Sequence, residues 1–139
     1  SENAIINHIL NRKIEYCNNN GLSIKCMVCG ELKGVSDYDI HIILENLLDN
    51  AIEAALKAVN KRISVDIYSD EQAMVIKISN TTEENVLKNN PEMNTTKKDN
   101  SYHGYGIKNV SELVKKNNGT IEYIQLGVDI VQCRVLLML

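Results

Sequence analysis

The chain has 139 residues, which is enough for one domain with a buried core. Hydrophobic residues make up 44% and charged residues 24%, which is typical of a globular protein, and no apolar run approaches the roughly 20 residues that a membrane helix needs. The formal net charge of -3 argues against nucleic acid as the main partner.

The first segment predicts a helix followed by a strand. Isoleucine and leucine recur at helical spacing from Ile5 to Ile14, and the helix should end before Gly21. The next run, "LSIKCMV", is strand-like. It contains Cys26 and leads to Cys29, so a CxxC pair lies in a strand instead of at a helix start. We expect ordinary reduced cysteines, with a redox or zinc protein as the alternative.

A second helix and a hairpin follow. Ser36 or Asp37 can cap this helix, which continues to about Val59. The runs "RISVDIYS" and "QAMVIKIS" both alternate between apolar and polar residues, as half-buried strands do. The short polar turn between them predicts a β-hairpin.

The last part begins with a long polar segment from Thr81 to His103, which predicts a functional lid or disorder. A helical pattern, "GIKNVSELVKKNNG", stops at Gly119, and "TIEYIQL" and "DIVQCRVLLML" predict two closing strands. Strands interrupted by separate helices predict an α+β fold. We expect a two-layer α/β sandwich, in which a mixed, mostly antiparallel sheet is covered on one face by helices.

The second helix carries an unusual polar stripe. At 100° per residue, Asn46, Asn50, Glu53 and Lys57 share one narrow face. One interpretation is a merely solvated face on which Glu53 and Lys57 form an ordinary i,i+4 pair. The other is a binding face, because amide oxygens are suitable ligands for Mg²⁺.

Two further features favour the binding interpretation. "HGYGIKNV" places Gly104 and Gly106 where a long loop opens a helix, and a helix N-terminus with close backbone approach attracts phosphate. Asn80, in "ISNT", ends an apolar strand just before the lid and can accept a hydrogen bond from an adenine amino group. The alternative for Asn80 is an Asx turn at a strand end.

These motifs, in this order, resemble those of the GHKL, or Bergerat, ATP-binding fold, which sensor histidine kinases share with type II topoisomerases. "ENLLDNAIEAA" is similar to the asparagine box of that family, and "HGYGIKNV" to its later glycine box. The resemblance covers about Ser36 to Leu139. Within the family, "NLLDNAIEA", "ISNT", "TTK" and "HGYGI" look most like the quorum-sensing peptide-receptor type of histidine kinase.

The resemblance implies a set of ligand contacts for ATP and Mg²⁺. Asn50 should coordinate Mg²⁺, Asn46 should lie near the phosphates, and Asn80 should contact adenine. The backbone and lid contacts implied in the same way are Gly104, Gly106, His103 and Lys97. Asp49 and Glu53 resemble neighbours that orient the site, and the resemblance implies no catalytic side chain within this chain.

Two positions differ from the common family pattern. Asn80 stands where most members have an acidic adenine anchor, so its hydrogen bond to adenine should be weaker and the ATP affinity modest. Asn46 stands where hydrolytic members have a glutamate base. Because an amide cannot take a proton from water, this favours phosphoryl transfer over hydrolysis.

The function implied is the catalytic domain of a two-component sensor histidine kinase. It would transfer the γ-phosphoryl group of Mg-ATP to a histidine on a dimerisation domain outside this chain. Residues 1–20 would be the tail of a dimerisation helix or linker, and residues 21–139 the catalytic and ATP-binding domain, with a lid at about 81–103. We expect His8 at the surface or in packing, and a structural role for His41.

The expected partners are the kinase's own dimerisation and phosphoacceptor domain and a response regulator, with no nucleic acid. The expected location is the cytoplasmic portion of a membrane-anchored bacterial sensor kinase, which would reach the membrane only through a sensor part preceding this chain. The alternative is a degenerate or non-catalytic GHKL nucleotide-binding or interaction module.

Overall fold

The computed structural model of the protein describes residues 3–83 and 102–139, and within the second range it describes side chains from residue 109 onward. Three helices and five strands lie within these ranges. The helices are α1 (Ala4–Asn19), α2 (Asp37–Leu56) and α3 (Tyr102–Lys116). The strands are β1 (Ser23–Cys29), β2 (Arg62–Ser69), β3 (Ala73–Thr81), β4 (Thr120–Gly127) and β5 (Ile130–Met138). No helix in the described ranges is long and apolar enough to cross a membrane.

The five strands form one mixed sheet in the order β1-β2-β3-β5-β4. β1 is parallel to β2, and every other neighbouring pair is antiparallel. The predicted hairpin is confirmed as β2 and β3, which are joined by a turn in which Asp70 Oδ1 accepts hydrogen bonds from the backbone N–H groups of Gln72 and Ala73. The mixed, mostly antiparallel sheet is therefore as expected.

The first helix is capped by the side chain of Asn3, whose Oδ1 accepts a hydrogen bond from the backbone N–H of Ile6 at 2.9 Å. Its apolar stripe is buried, with Ile9 and Cys17 fully enclosed. The chain leaves the helix through Gly21, which adopts φ +73 in the left-handed region as a helix stop requires.

The second helix begins at the predicted cap and ends earlier than expected. Ser36 is the N-cap, and its Oγ accepts a hydrogen bond from the backbone N–H of Asp39 at 3.1 Å. The helix ends at Leu56, and the expected end at about Val59 was too late. Val59 is 97% exposed, so no packing extends the helix that far. Lys57 instead turns the chain through a bond from its N–H to the carbonyl of Ala54.

The core lies between the sheet and the helices, which confirms the two-layer α+β fold. Alternate residues of β2, β3 and β5 face the helices and are buried, whereas Asp66, Lys77 and Arg134 lie in one register row on the opposite face. The largest fully buried side chains come from both layers and include Ile6, Ile9, Ile40, Ile43, Leu44, Leu48, Ile67, Met74, Ile76, Ile78 and Leu137.

Candidate functional site

Asn46 and Asn50 lie one helical turn apart on α2. Both side chains are partly buried, and Leu47, Leu48 and Ala51 beside them are buried in the core. The Nδ2 of Asn46 donates a 2.7 Å hydrogen bond to the carbonyl of Ile42, one turn earlier. Since the nitrogen is directed at the helix backbone, the oxygen Oδ1 is the atom of this amide that can accept a hydrogen bond or approach a cation.

This donor set suits a hard cation held together with phosphate. Mg²⁺ usually keeps several waters and takes few protein ligands, completing its shell with substrate phosphate oxygens. Neutral amide oxygens one turn apart fit that role, because they supply oxygen without adding negative charge beside a triphosphate. Among the described residues, no group of three or more histidine, cysteine or acidic side chains could hold a metal.

Asn80 is the second-last residue of β3 and faces the helix layer. Its partners in the neighbouring strands, Ile63 and Val131, are both buried, and cross-strand partners point to the same face of a sheet. The Nδ2 of Asn80 donates a 3.0 Å hydrogen bond to the carbonyl of Thr81. Its Oδ1 is therefore the acceptor available to a ligand, as contact with an adenine amino group requires.

Two buried threonines after Asn80 hold the strand end, and the sequence analysis missed them. Thr81 is 2% exposed, and its Oγ1 accepts from the backbone N–H of Arg62 at 3.0 Å and lies 3.3 Å from the Arg62 carbonyl. Thr82 is 5% exposed, and its N–H donates to the carbonyl of Asp129 at 2.9 Å. The only available signal was the "NTT" run that directly follows an apolar strand. These bonds fix the backbone that carries Asn80.

The helix that carries the Gly-x-Gly motif begins at Tyr102, two residues before Gly104. Both glycines therefore lie in the first two turns of α3 instead of in the preceding loop, because low helix propensity disfavours glycine in a helix without excluding it. His103 lies in the same turn, and its side chain is outside the described residues, as is Lys97 with most of the predicted lid.

An ion pair joins the first turn of α2 to the end of α3. Asp39 is 2% exposed; its carboxylate lies 3.1 Å from Lys116 Nζ and accepts a 3.1 Å hydrogen bond from Asn117 Nδ2. Burial acts to raise the pKa of Asp39, but the hydrogen bonds from Asn117 and Lys116 and the Lys116 charge outweigh it, so the pKa lies below its ordinary value. The sequence analysis did not single out Asp39.

This ion pair fixes one end of the contact between α2 and α3. Each of these helices leads into a strand, and those strands, β2 and β4, run in opposite directions in the sheet, which agrees with an antiparallel pair of helices. Asn50 lies about 16 Å along α2 from Asp39, and Gly104 to Gly106 lie about 15–18 Å back along α3 from Lys116. If the two helices pack antiparallel along their length, the Gly-x-Gly turn lies toward the Asn50 half of α2.

The histidines and cysteines outside this site show no chemical cluster in the part of the chain that the structure describes. His8 and His41 are both exposed. All four cysteines are free, and Cys26 is partly buried on the core side of β1 whereas Cys29 is exposed. Residues three apart in a strand point to opposite faces, so the CxxC pair is not arranged as a shared site.

The comparison with protein families agrees with the motifs. The family model described as the GHKL domain matches residues 35–136. The chain belongs to the GHKL domain family. That match contains α2, Asn80 and the start of α3, whereas α1 and β1 precede it. No curated protein matches the sequence.

Solved histidine kinases share the fold of this GHKL domain. The nucleotide-free catalytic domain of the histidine kinase ThkA superposes with a TM-score of 0.76 at 14% identity, covering 96% of this chain and 91% of that chain. The mycobacterial sensor histidine kinase MprB gives 0.68 at 14%, covering 96% and 93%. Full-length ShkA, solved in complex with AMPPNP, gives 0.71 at 14%, covering 95% of this chain but only 29% of that longer chain. The fold is therefore that of a histidine kinase catalytic domain.

Proposed function

We propose that this GHKL domain is the ATP-binding catalytic domain of a two-component sensor histidine kinase. It would bind Mg-ATP and transfer the γ-phosphoryl group to a histidine on a dimerisation domain outside this chain. One observation carries the proposal: Asn46 and Asn50 form a pair of partly buried amides, one turn apart, on α2, and α2 is joined to the Gly-x-Gly helix α3 by an ion pair. The fold shared with ThkA, MprB and AMPPNP-bound ShkA supports it.

In this proposal each of the three amides contacts a different part of Mg-ATP. Asn50 coordinates Mg²⁺ through its amide oxygen. Asn46 lies near the phosphates, where its Oδ1 can accept from water bound to the metal, because its Nδ2 is held by the carbonyl of Ile42. Asn80 accepts a hydrogen bond from the adenine amino group through Oδ1, since its Nδ2 is held by Thr81.

The remaining contacts come from the start of α3 and the lid. The first four backbone N–H groups of a helix lack partners in that helix and attract phosphate, which is the role proposed for Gly104. Gly106 is proposed to border the phosphates because a residue without a side chain allows a ligand to approach the backbone closely. Lys97 and His103 are proposed lid contacts. Bound Mg²⁺ would neutralise charge on the phosphates, while the residues of the chain position the nucleotide and exclude water. Asn46 cannot act as a base toward water, which favours transfer to a protein histidine.

The proposed context is a membrane-anchored bacterial receptor whose cytoplasmic portion includes this domain. In that context α1 is the tail of a dimerisation helix, the phosphoacceptor domain and a response regulator are the protein partners, and the receptor is of the quorum-sensing type. Transfer is tested by incubating the whole receptor's cytoplasmic portion with Mg-ATP and measuring acid-labile phosphohistidine.

Nucleotide binding is tested by calorimetric titration of AMPPNP with Mg²⁺ into the wild-type chain and into Asn50→Ala. We expect saturable binding that Asn50→Ala weakens by about tenfold or more, because even outer-shell changes at metal sites cost about 10–100-fold in affinity. Asn18→Ala is the matched control, since it removes an exposed asparagine from another helix, α1. Equal binding by both variants would contradict the assigned metal ligand.

A degenerate, non-catalytic GHKL module is the second candidate, and Asn80 is the observation that favours it. An uncharged amide accepts a weaker hydrogen bond than the acidic group common at this position in the family. The same titration separates the two candidates, because a degenerate module would show no binding at millimolar nucleotide.

A further inference from the structure

Lys13 is a charged side chain buried at the contact between α1 and α2. The residue is 8% exposed, and its Nζ lies 2.7 Å from Asp49 Oδ1 and 3.1 Å from Glu45 Oε2. A buried cation is costly unless it is paired, so these two carboxylates account for its position. Arg12 adds a longer contact of 3.4 Å to Glu45 from a side chain that is 50% exposed.

The two carboxylates that hold Lys13 alternate with the two amides of the proposed nucleotide site. Glu45 directly precedes Asn46, and Asp49 directly precedes Asn50. Consecutive residues of a helix are 100° apart, so the acidic pair and the amide pair occupy adjacent stripes of the same two turns. A contact that fixes the direction of the acidic stripe therefore also fixes the direction of the amide stripe.

Beyond Lys13, α1 is still joined to the apolar core through Cys17, which is fully buried, while other residues of α1 border a groove. A groove of about 610 Å³ lies between α1 and α2 there, lined by Lys13, Tyr16, Asp49, Ile52 and Glu53 among others. The ion pairs of Lys13 lie at the edge of this groove, so they add a charged contact between α1 and this part of α2 to the apolar packing of α1. α1 also lies before the GHKL match, so a residue outside the family domain contacts the helix of the site.

We propose that Lys13 is a positioning residue for the nucleotide site: by holding Glu45 and Asp49 from α1, it sets the orientation of the two turns of α2 that present Asn46 and Asn50. The inference rests on the proposed function for its consequence, which is that the attachment of α1 controls nucleotide affinity. A change that releases α1 from α2 would turn the amides away from the metal and weaken binding.

Lys13→Met tests the proposal, because methionine keeps an aliphatic stem and removes the charge. We expect the dissociation constant for AMPPNP with Mg²⁺ to rise about fivefold or more, within the usual range of coupling between sites. Lys13→Arg, which keeps the charge, should restore affinity. Ile9→Val is the control for general loosening of α1, since Ile9 is fully buried and uncharged, and the change should lower stability without changing affinity.

The side-chain NH₂ signals of Asn46 and Asn50 in an NMR spectrum of the nucleotide-free chain give a second readout. We expect Lys13→Met to shift both signals and Ile9→Val to leave them in place. If the wild-type chain bound no nucleotide, the proposed function would fail, and these signals would still decide the role of Lys13. Should Lys13→Met not fold, Asp49→Asn removes the shorter ion pair from its exposed side, with the same expected shifts. Unshifted signals and unchanged affinity would overturn the proposal.

Discussion

Asp39 offers the sharpest test of how the helix layer is held together. Its carboxylate is almost fully buried and receives charge-assisted contacts from Lys116 and Asn117, which join the first turn of α2 to the end of α3. The substitution Asp39→Asn keeps the shape of the side chain and removes its charge. One amide oxygen can still accept from Asn117, but the new NH₂ group faces the ammonium of Lys116.

The loss of stability expected for Asp39→Asn follows from these contacts. A hydrogen bond to a charged group contributes about 1.5–3 kcal/mol, and breaking a fully buried ion pair costs about 3–5 kcal/mol. Lys116 is 65% exposed, so solvent screens its part of the interaction and the lower figure applies. We therefore expect Asp39→Asn to lower the free energy of unfolding by about 2 kcal/mol.

Urea denaturation followed by far-ultraviolet circular dichroism measures this loss. The matched control is Asp37→Asn, which makes the same change in the same helical turn at an exposed carboxylate. It should cost only the interaction with the helix dipole, about 0.3–1 kcal/mol. If the two variants were equally stable, the ion pair between α2 and α3 would contribute nothing beyond the dipole, and the reasoning would be wrong.

Two further predictions concern pH and the backbone. Folding lowers the pKa of Asp39 from 3.8, so the stability that its carboxylate contributes is fully present above the pKa of the unfolded chain and is lost as the pH falls through the pKa of the folded protein. The stability difference between wild type and Asp39→Asn should therefore shrink in urea titrations below about pH 4. Gly30→Ala should lower the free energy of unfolding by about 1–3 kcal/mol more than Gly21→Ala in thermal unfolding. Both glycines have positive φ, but of the two only Gly30 would place the new Cβ against the carbonyl oxygen of Ser69 in β2; equal costs would contradict this.

The parts of the fold that could be predicted from the sequence are those that depend on residues close together in the chain. The Ser36 cap, the hairpin of β2 and β3 and the two closing strands follow from capping chemistry and apolar alternation, which depend on neighbouring residues. Element ends were less certain. α2 stops at Leu56 because nothing packs on Val59, and α3 starts before its glycines, neither of which a local pattern specifies.

The candidate site was also predictable from the sequence only in part. The four-residue spacing of Asn46 and Asn50 is enough to predict that both amides share one face of α2, because helical geometry alone fixes that relation. The hydrogen bonds that orient Asn46 and Asn80 are also local, yet which of several possible bonds forms depends on the packing around each side chain.

By itself, the sequence determined the periodic elements, their order and the three motifs of a GHKL domain, since these depend on residues close together in the chain. Only the tertiary structure decided which charges meet: Lys13 pairs with Asp49 across 36 positions, and Lys116 pairs with Asp39 across 77. The physical reason is that a buried charge is stabilised by whichever group the packed layers bring within hydrogen-bond distance, and no local pattern of residues encodes that distance.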